Sequence, residues 1–269
     1  MSTHTNRSLR VFVTGSASGI GLHVTDRLLA AGHRVWATDL QLQSLQTTGA
    51  TRGWSESLVT YRGLDVVDEP VWKSTYEEAV QTLGAIDVHL NIAGYLRPGW
   101  VHEITSADVH RHFDINVKGV VFGTQLAAQH MLTRGRGHIL NIASLAGLSP
   151  IPGLGLYSAS KFAVRAFSVA AALELKDRGV AVTTICPDAV QTPMLDLQVA
   201  HEEASLTFSG NRALTVEDVG DAVFKALRKR PIEVHLPRHR AWLAKAANLL
   251  PGATHGISQR MQARGRARQ

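Results

Sequence analysis

The sequence predicts a doubly wound α/β fold: one parallel sheet with helices on both faces. Three observations predict it. Short apolar segments alternate with helical segments of ten or more residues, which implies repeated β-α-β units. A glycine-rich turn, Thr14-Gly15-Ser16-Ala17-Ser18-Gly19-Ile20-Gly21, joins the first strand to the first helix. No linker, composition break or internal repeat divides the chain, so a single domain over residues 1–255 is expected, with a separate basic tail at 256–269. A parallel sheet built this way must be covered on both faces.

The elements follow in order. Arg10–Thr14 is a short apolar strand, and residues 20–31 form a helix ended by Gly32. Residues 34–38 and 57–61 are the second and third strands. A helix covers 70–83 with Asp68 as its N-cap, and 86–91 is the fourth strand. A long helix runs over 106–131, capped by Thr105 or Ser106. The fifth strand is 138–143, and a second long helix spans 156–177 before Gly179. The sixth strand, 180–186, stops at Pro187. Residues 193–212 lack periodicity and read as a mobile lid. The run Thr215-Val216-Glu217-Asp218 opens a helix to Lys229, and 232–236 is the last strand.

Composition narrows the function classes. Hydrophobic residues make up 45% of the chain, enough for a sizeable core. No apolar run reaches membrane-spanning length, and the polar start at 1–10 lacks the apolar stretch of a signal peptide. One cysteine, Cys186, allows no internal disulfide and fits a reducing, cytoplasmic setting. It reads as a buried structural thiol, since no histidine beside it would activate it. Thirteen histidines are scattered without metal-ligand spacing, so no metal is expected. The formal charge of +6 falls to +2 without Arg260, Arg264, Arg266 and Arg268 of the tail. Such a tail can touch nucleic acid or anionic lipid; it reads here as a solvated, disordered end with no nucleic-acid partner.

Three motifs carry chemistry. The glycine-rich turn lets the backbone approach a pyrophosphate, and the helix that follows offers free N–H groups and a positive dipole end. The fold is therefore expected to be Rossmann-like and to hold a dinucleotide. Asp39 closes the second strand, where an acid accepts hydrogen bonds from ribose hydroxyls and repels the extra phosphate of NADP. No Arg or Lys stands in the turn or directly after Asp39, so NAD is the expected cofactor. Tyr157 and Lys161 lie four apart on one helical face. A phenol titrates at about 10, and a nearby ammonium or a cationic nicotinamide lowers that value. Tyr157 can then serve as acid or base near neutral pH. Ser144 has no Gly-x-Ser-x-Gly elbow, which argues against an esterase.

The ordered series Gly15/Gly19/Gly21, Asp39, Asp65-Val66, Asn91 to Gly94, Asn116, Ser144, Tyr157 and Lys161 resembles the short-chain dehydrogenase/reductase family over roughly residues 9–236. The resemblance implies roles. Tyr157 would exchange a proton with the substrate oxygen, and Ser144 would hydrogen-bond that oxygen. Lys161 would hold the nicotinamide ribose and lower the Tyr157 pKa. Asn116 would place a water in a proton relay behind Lys161. Gly15, Ser18, Gly19, Ile20 and Gly21 would cradle the cofactor, with Asp65 and Val66 at the adenine and Asn91, Ile92 and Ala93 beside the turn. Pro187, Val190 and Thr192 would lie along the nicotinamide. Two departures stand out: Ile92 occupies a position where the family usually has Asn, and Asp188 one where it has Gly.

The expected function is hydride transfer between NAD(H) and an alcohol or ketone. Loops at 96–100, 148–156 and 194–208 are largely apolar, with His201, Glu202 and Glu203 as polar exceptions. An apolar, medium-sized substrate is expected. A non-catalytic dinucleotide sensor and a same-fold epimerase or dehydratase are the alternatives; the retained Asn116, Ser144, Tyr157 and Lys161 weigh against the first, the glycine spacing and short chain against the second. Both long helices are apolar on more than one side, at Val120-Val121-Phe122-Gly123 and from Phe162 to Leu173. The resemblance implies that these helices pair copies across a two-fold axis, with Ala166, Ala170 and Ala171 allowing close approach, in a homodimer or homotetramer. Residues 237–251, with Trp242, Leu243, Leu249 and Leu250, could instead cover that face, meet a membrane, or extend a dimer contact.

Overall fold

A computed structural model describes residues 8–249, 252 and 255–269; the first seven residues of the polar start, and Leu250, lie outside the described residues. Seven strands form one all-parallel sheet: β1 (Arg10–Thr14), β2 (Arg34–Asp39), β3 (Val59–Gly63), β4 (Val88–Asn91), β5 (Gly137–Ile142), β6 (Val180–Pro187) and β7 (Glu233–Leu236). Their order is β3-β2-β1-β4-β5-β6-β7. The chain therefore winds outward from β1 in one direction, then returns to β4 and winds in the other. That reversal leaves a crevice at the carboxyl ends of β1 and β4, where open α/β sheets bind ligands.

Strand alternation builds two cores. Phe12 and Trp36 face one side with Trp72, Tyr76, Met131 and Ala172. Those partners come from α3 (Glu69–Leu83), α5 (Gly119–Leu132) and α6 (Gly155–Leu175). Val11, Val13, Val35 and Ala37 face the other side with Val24, Leu28, Leu45 and Val223. These belong to α1 (Gly19–Ala30), α2 (Leu42–Arg52) and α8 (Val216–Lys229). Phe12, Trp36 and Trp72 are fully buried, each contributing roughly 1.5–3 kcal/mol by leaving water. Asp68 caps α3 through Val71 N at 3.0 Å, and Thr105 and Thr215 each close a capping box with an Asp three residues on.

The expected first long helix is α4 (Ser106–Phe113) continued through one π turn, Asp114–Lys118, into α5. The expected 193–212 lid contains α7 (Pro193–Asp196) and a run of 3-10 turns, Glu202–Ser209. Helix α2 and a ninth helix, α9 (Arg238–Leu249), were not foreseen. The expected disordered tail is corrected: it is helix α10 (His255–Arg266), which begins before the expected boundary at 255/256. Its arginines are exposed, but some of them make contacts with the chain. Arg264 donates to Asn211 at 2.7 Å, Arg266 pairs with Glu202 at 2.8 Å, and Gln269 Nε2 donates to the His201 carbonyl at 2.8 Å. Gly265 is packed so tightly on the Ser205 carbonyl that a Cβ there would overlap it.

At the amino end of β4, Asp87 ties the sheet to α5. Its carboxylate meets Arg10 at 2.8 Å and Arg134 at 2.7 Å. Burial raises the Asp87 pKa, but hydrogen bonds from Arg10 and Arg134 outweigh it and hold the group well below the usual carboxylate range. A depressed carboxylate contributes stability above the unfolded pKa of about 4 and loses it as pH falls below that. Asp87→Asn should therefore cost about 2–3 kcal/mol at neutral pH, because two guanidinium groups lose their counter-charge. The Tm gap between wild type and variant should narrow as the scans move below about pH 4.

Candidate active site

The crevice between β1 and β4 is shaped by backbone. Thr14 Oγ1 accepts from Ile92 N at 3.0 Å and Ala93 N at 3.1 Å, locking the two strand ends together. Gly15 turns the chain at φ +70°, and a Cβ there would press on Ala93 N at 3.0 Å. A Cβ at Gly21 would overlap the Gly15 carbonyl oxygen. Only glycine lets α1 start this close to the turn, so its first N–H groups face the crevice. Ser18 is the N-cap of α1 and makes no side-chain cap bond. Thr192 covers Gly19 from across the crevice.

Asp39 sits at the end of β2. Its carboxylate accepts from Ala17 N at 3.0 Å and from Gln41 N at 3.2 Å, which fixes its orientation beside the turn. Three expected cofactor residues behave differently. Val66 turns its side chain into the core, leaving Asp65 exposed. Asn91 is buried, with Nδ2 on Asn141 Oδ1 at 2.8 Å and Oδ1 beside His89 Nε2 at 2.9 Å. Its side chain serves a polar network that also takes in Thr124 and Ser168, not the crevice. Ile92, in contrast, lines the cavity.

Four side chains converge from three elements: the segment after β5, the π turn and α6. Ser144 ends the segment after β5 and accepts from Ala146 N at 3.1 Å. Tyr157 and Lys161 stand on the first turns of α6, with Lys161 Nζ 5.7 Å from the phenol ring centre. Lys161 donates to the Ile142 carbonyl at 2.9 Å. Asn116 lies in the π turn and is fully buried. The wider turn aims its amide at β4's loop: Oδ1 accepts from Tyr95 N at 2.7 Å, and Nδ2 donates to Tyr95 O at 2.8 Å and Ser160 Oγ at 2.9 Å. Ser160, which no sequence argument singled out, thus positions Asn116 from α6.

The protein's own field favours a protonated phenol. Burial pushes Tyr157 up to about 12, with a hydrogen bond from Ser144 holding it lower than burial alone would. Burial brings Lys161 down to about 8. Burial also pushes the Cys186 thiol up to about 12, consistent with a structural role. Among the described residues, Cys186, Glu233 and His235 are grouped closely enough to share a metal ion. Glu233, however, already holds Arg165 through bonds of 2.6 and 3.1 Å, so a cation there would have to displace a guanidinium.

One cavity of about 760 Å³ reaches from Ile20 at the start of α1 to Ser144, Tyr157 and Lys161. Ile20, Ile92, Ser144, Tyr157, Lys161, Pro187, Val190 and Thr192 line it. The three apolar loops meet at its side, where Leu96, Leu154 and Ala204 pack with Ile151, Met194 and Phe208. Glu202 is turned away to Arg266. The outer wall is the part the sequence did not reveal: Arg240, Leu243, Ala244 and Ala247 of α9 and Met261 of α10. Asp188, the departure after Pro187, pairs with Arg240 at 2.9 Å. No local signal links those two residues.

Comparison with known proteins agrees with this geometry. Residues 10–203 match the short chain dehydrogenase family model. The chain is 32% identical over 220 residues to 2-(R)-hydroxypropyl-CoM dehydrogenase of Xanthobacter autotrophicus, covering 78% of this chain and 88% of the relative. It is 33% identical over 201 residues to the NADP-dependent (R)-specific alcohol dehydrogenase of Lentilactobacillus kefiri, covering 72% and 78%. A short chain dehydrogenase/reductase from Burkholderia phymatum, solved in complex with NAD, superimposes with a TM-score of 0.82 at 23% identity, covering 92% and 95%.

Gly21→Ala tests the cradle. The added methyl must push the Gly15 carbonyl into the crevice, so dinucleotide affinity should fall by about tenfold or more while the far-ultraviolet spectrum is kept. Titration calorimetry with the dinucleotide measures it.

Proposed function

This chain belongs to the short-chain dehydrogenase family, and on that premise we propose that it is an NAD-preferring alcohol dehydrogenase or carbonyl reductase for apolar substrates. It is an oxidoreductase acting with a nicotinamide dinucleotide on an alcohol or ketone. The observation that carries the finer reading is the meeting of Ser144, Tyr157 and Lys161 on one apolar cavity, with Asn116 buried behind them.

The nicotinamide supplies the hydride donor or acceptor. Every other step belongs to side chains. In reduction, the protonated Tyr157 phenol donates to the substrate oxygen while Ser144 holds that oxygen by a second hydrogen bond. In oxidation, Tyr157 takes the proton; the positive charge of an oxidised nicotinamide and of Lys161 offsets the burial that raises its pKa. Lys161 uses one of its three N–H donors on Ile142 and has capacity to hold ribose hydroxyls. The Asn116 amide, anchored on Tyr95 and Ser160, orders the water path by which Tyr157 is reprotonated. Gly15, Gly19 and Gly21 with the start of α1 would hold the pyrophosphate, and Asp39 would take the adenosine ribose. Asp65 would meet the adenine, and Pro187, Val190 and Thr192 would contact the nicotinamide.

Replacing the Tyr157 hydroxyl tests the reading directly. Tyr157→Phe keeps the ring packed but removes the proton donor, so kcat should fall by roughly 10²–10⁴-fold with NAD affinity nearly kept. Turnover followed through NADH absorbance over a panel of apolar secondary alcohols measures it; wild-type turnover in the variant would reject the assignment.

NAD preference rests on charge. Asp39 faces the ribose position, and the register places Arg62 opposite Thr38, on the other face of the sheet. There Arg62 is committed to Glu78 and stacks over Trp36. It is therefore poorly placed to receive a 2′-phosphate. NAD should bind more tightly than NADP, and Asp39→Ala should narrow the gap; equal or tighter NADP binding by the wild type would overturn this. Copies of the chain pair through α5 and α6, where Ala166, Ala170 and Leu173 are exposed, while Ala171 is buried in the chain's own core. The single buried Cys186 supports a cytoplasmic setting.

A further inference from the structure

Helix α9 is packed inside out. Ala241 is 3% exposed and, with Ala244, meets the cluster of Val120, Leu145, Leu148 and Cys186. The large apolar side chains are exposed instead: Trp242 at 72% and Leu249 at 79%, with Leu243, at the cavity rim, at 68%. A helix normally buries its largest apolar residues and shows its alanines. Positions 238, 242, 245 and 249 fall at helical spacing on one stripe, so Arg238 and Lys245 accompany Trp242 and Leu249. The charge around them is one-sided. Residues 238–269 contain seven Lys and Arg and no acid. Among the described residues, only Arg240 and Arg266 of the seven pair with a carboxylate.

We propose that α9 docks the protein on an anionic bilayer surface, with Trp242 and Leu249 entering the interface and the acid-free C-terminal segment meeting lipid phosphates. The helix lies in the plane of the surface, since its twelve residues are too few to cross a membrane. Trp and Leu flanked by Arg and Lys is the side-chain pairing that suits the headgroup layer. A second copy of the chain is a poorer occupant. Two-fold pairing would set this acid-free segment against itself, cation against cation. Leu243 and Ala247 of the same helix line the cavity, so the docking helix is also the rim of the pocket. Docking does not depend on the identity of the cofactor or substrate.

Flotation of the full chain with vesicles tests the proposal. Binding should be clear with equimolar phosphatidylcholine and phosphatidylglycerol, weak with phosphatidylcholine alone, and should fall as salt rises. The double variant Trp242→Glu, Leu249→Glu should lose about tenfold or more of that partitioning while keeping dinucleotide binding and its solution mass. Arg238→Glu with Lys245→Glu, a change on the same stripe that leaves the apolar residues in place, should weaken the anionic preference specifically. Equal flotation by wild type and both variants, or no flotation of the wild type, overturns the proposal. So does a drop in solution mass on mutating Trp242 and Leu249, which would make this face a contact between copies.

Discussion

The Thr14 hydroxyl is the constraint on which the site depends. Adjacent parallel strands that wind in opposite directions diverge beyond their last shared ladder bond, and the crevice they leave has to be fixed in width. Thr14 Oγ1 fixes it by accepting from both Ile92 N and Ala93 N. With the strand ends so held, Gly15 must turn where an added Cβ would come within 3.0 Å of the Ala93 backbone, and α1 must begin directly against that turn. The cradle is thus a product of the sheet's order reversal. Its glycines are consequences of how little room the crevice leaves.

The catalytic group is organised by a second device, the π turn at Asp114–Lys118. An uninterrupted α-helix from 106 to 132 would rotate Asn116 out of register with Tyr95 and Ser160. Inserting one residue lets α4 and α5 keep their buried faces while Asn116 points inward. The candidate site's side chains are held in turn by hydrogen bonds from their neighbours. Ser160 and Tyr95 hold Asn116, Ile142 holds Lys161, and Ala146 N holds Ser144. Beneath them, Asn91 and Asn141 tie β4 to β5 through a buried amide pair, which keeps the floor of the cavity rigid.

How much of this was legible follows from range. The strands, the Thr215 cap and the glycine turn were readable because each is decided within a few residues. Tyr157 and Lys161 were readable for the same reason: one helical turn separates them. At Thr105 and Ser106 the sequence left the cap open, and the structure settles it on Thr105. Helix α2 escaped because Leu45 and Gly49 are its only buried residues, which gives no periodic stripe. The inward turn of Asn91 and Val66 escaped because strand alternation is judged only once a partner face is known. Helix α10 escaped because a row of arginines reads as solvated when the carboxylate, amide and carbonyl groups that receive it lie in the segment 198–211, far away in sequence.

Asp188 shows how a local departure can dictate distant structure. The acid that follows Pro187 is buried, and burial alone raises its pKa and disfavours its charge. Arg240 at 2.9 Å opposes that effect. The pair forms because α9 is laid across the mouth of the cavity, which brings Arg240 to Asp188. Once α9 lies there, Leu243 and Ala247 become the outer wall, and α10 packs on the 202–209 turns, where Glu202 receives Arg266 and the carbonyls of residues 198 and 201 also accept from Gln269. The acid at 188 and the arginine-rich end are therefore parts of one arrangement: the first fixes where the wall begins, and the second fastens where it ends.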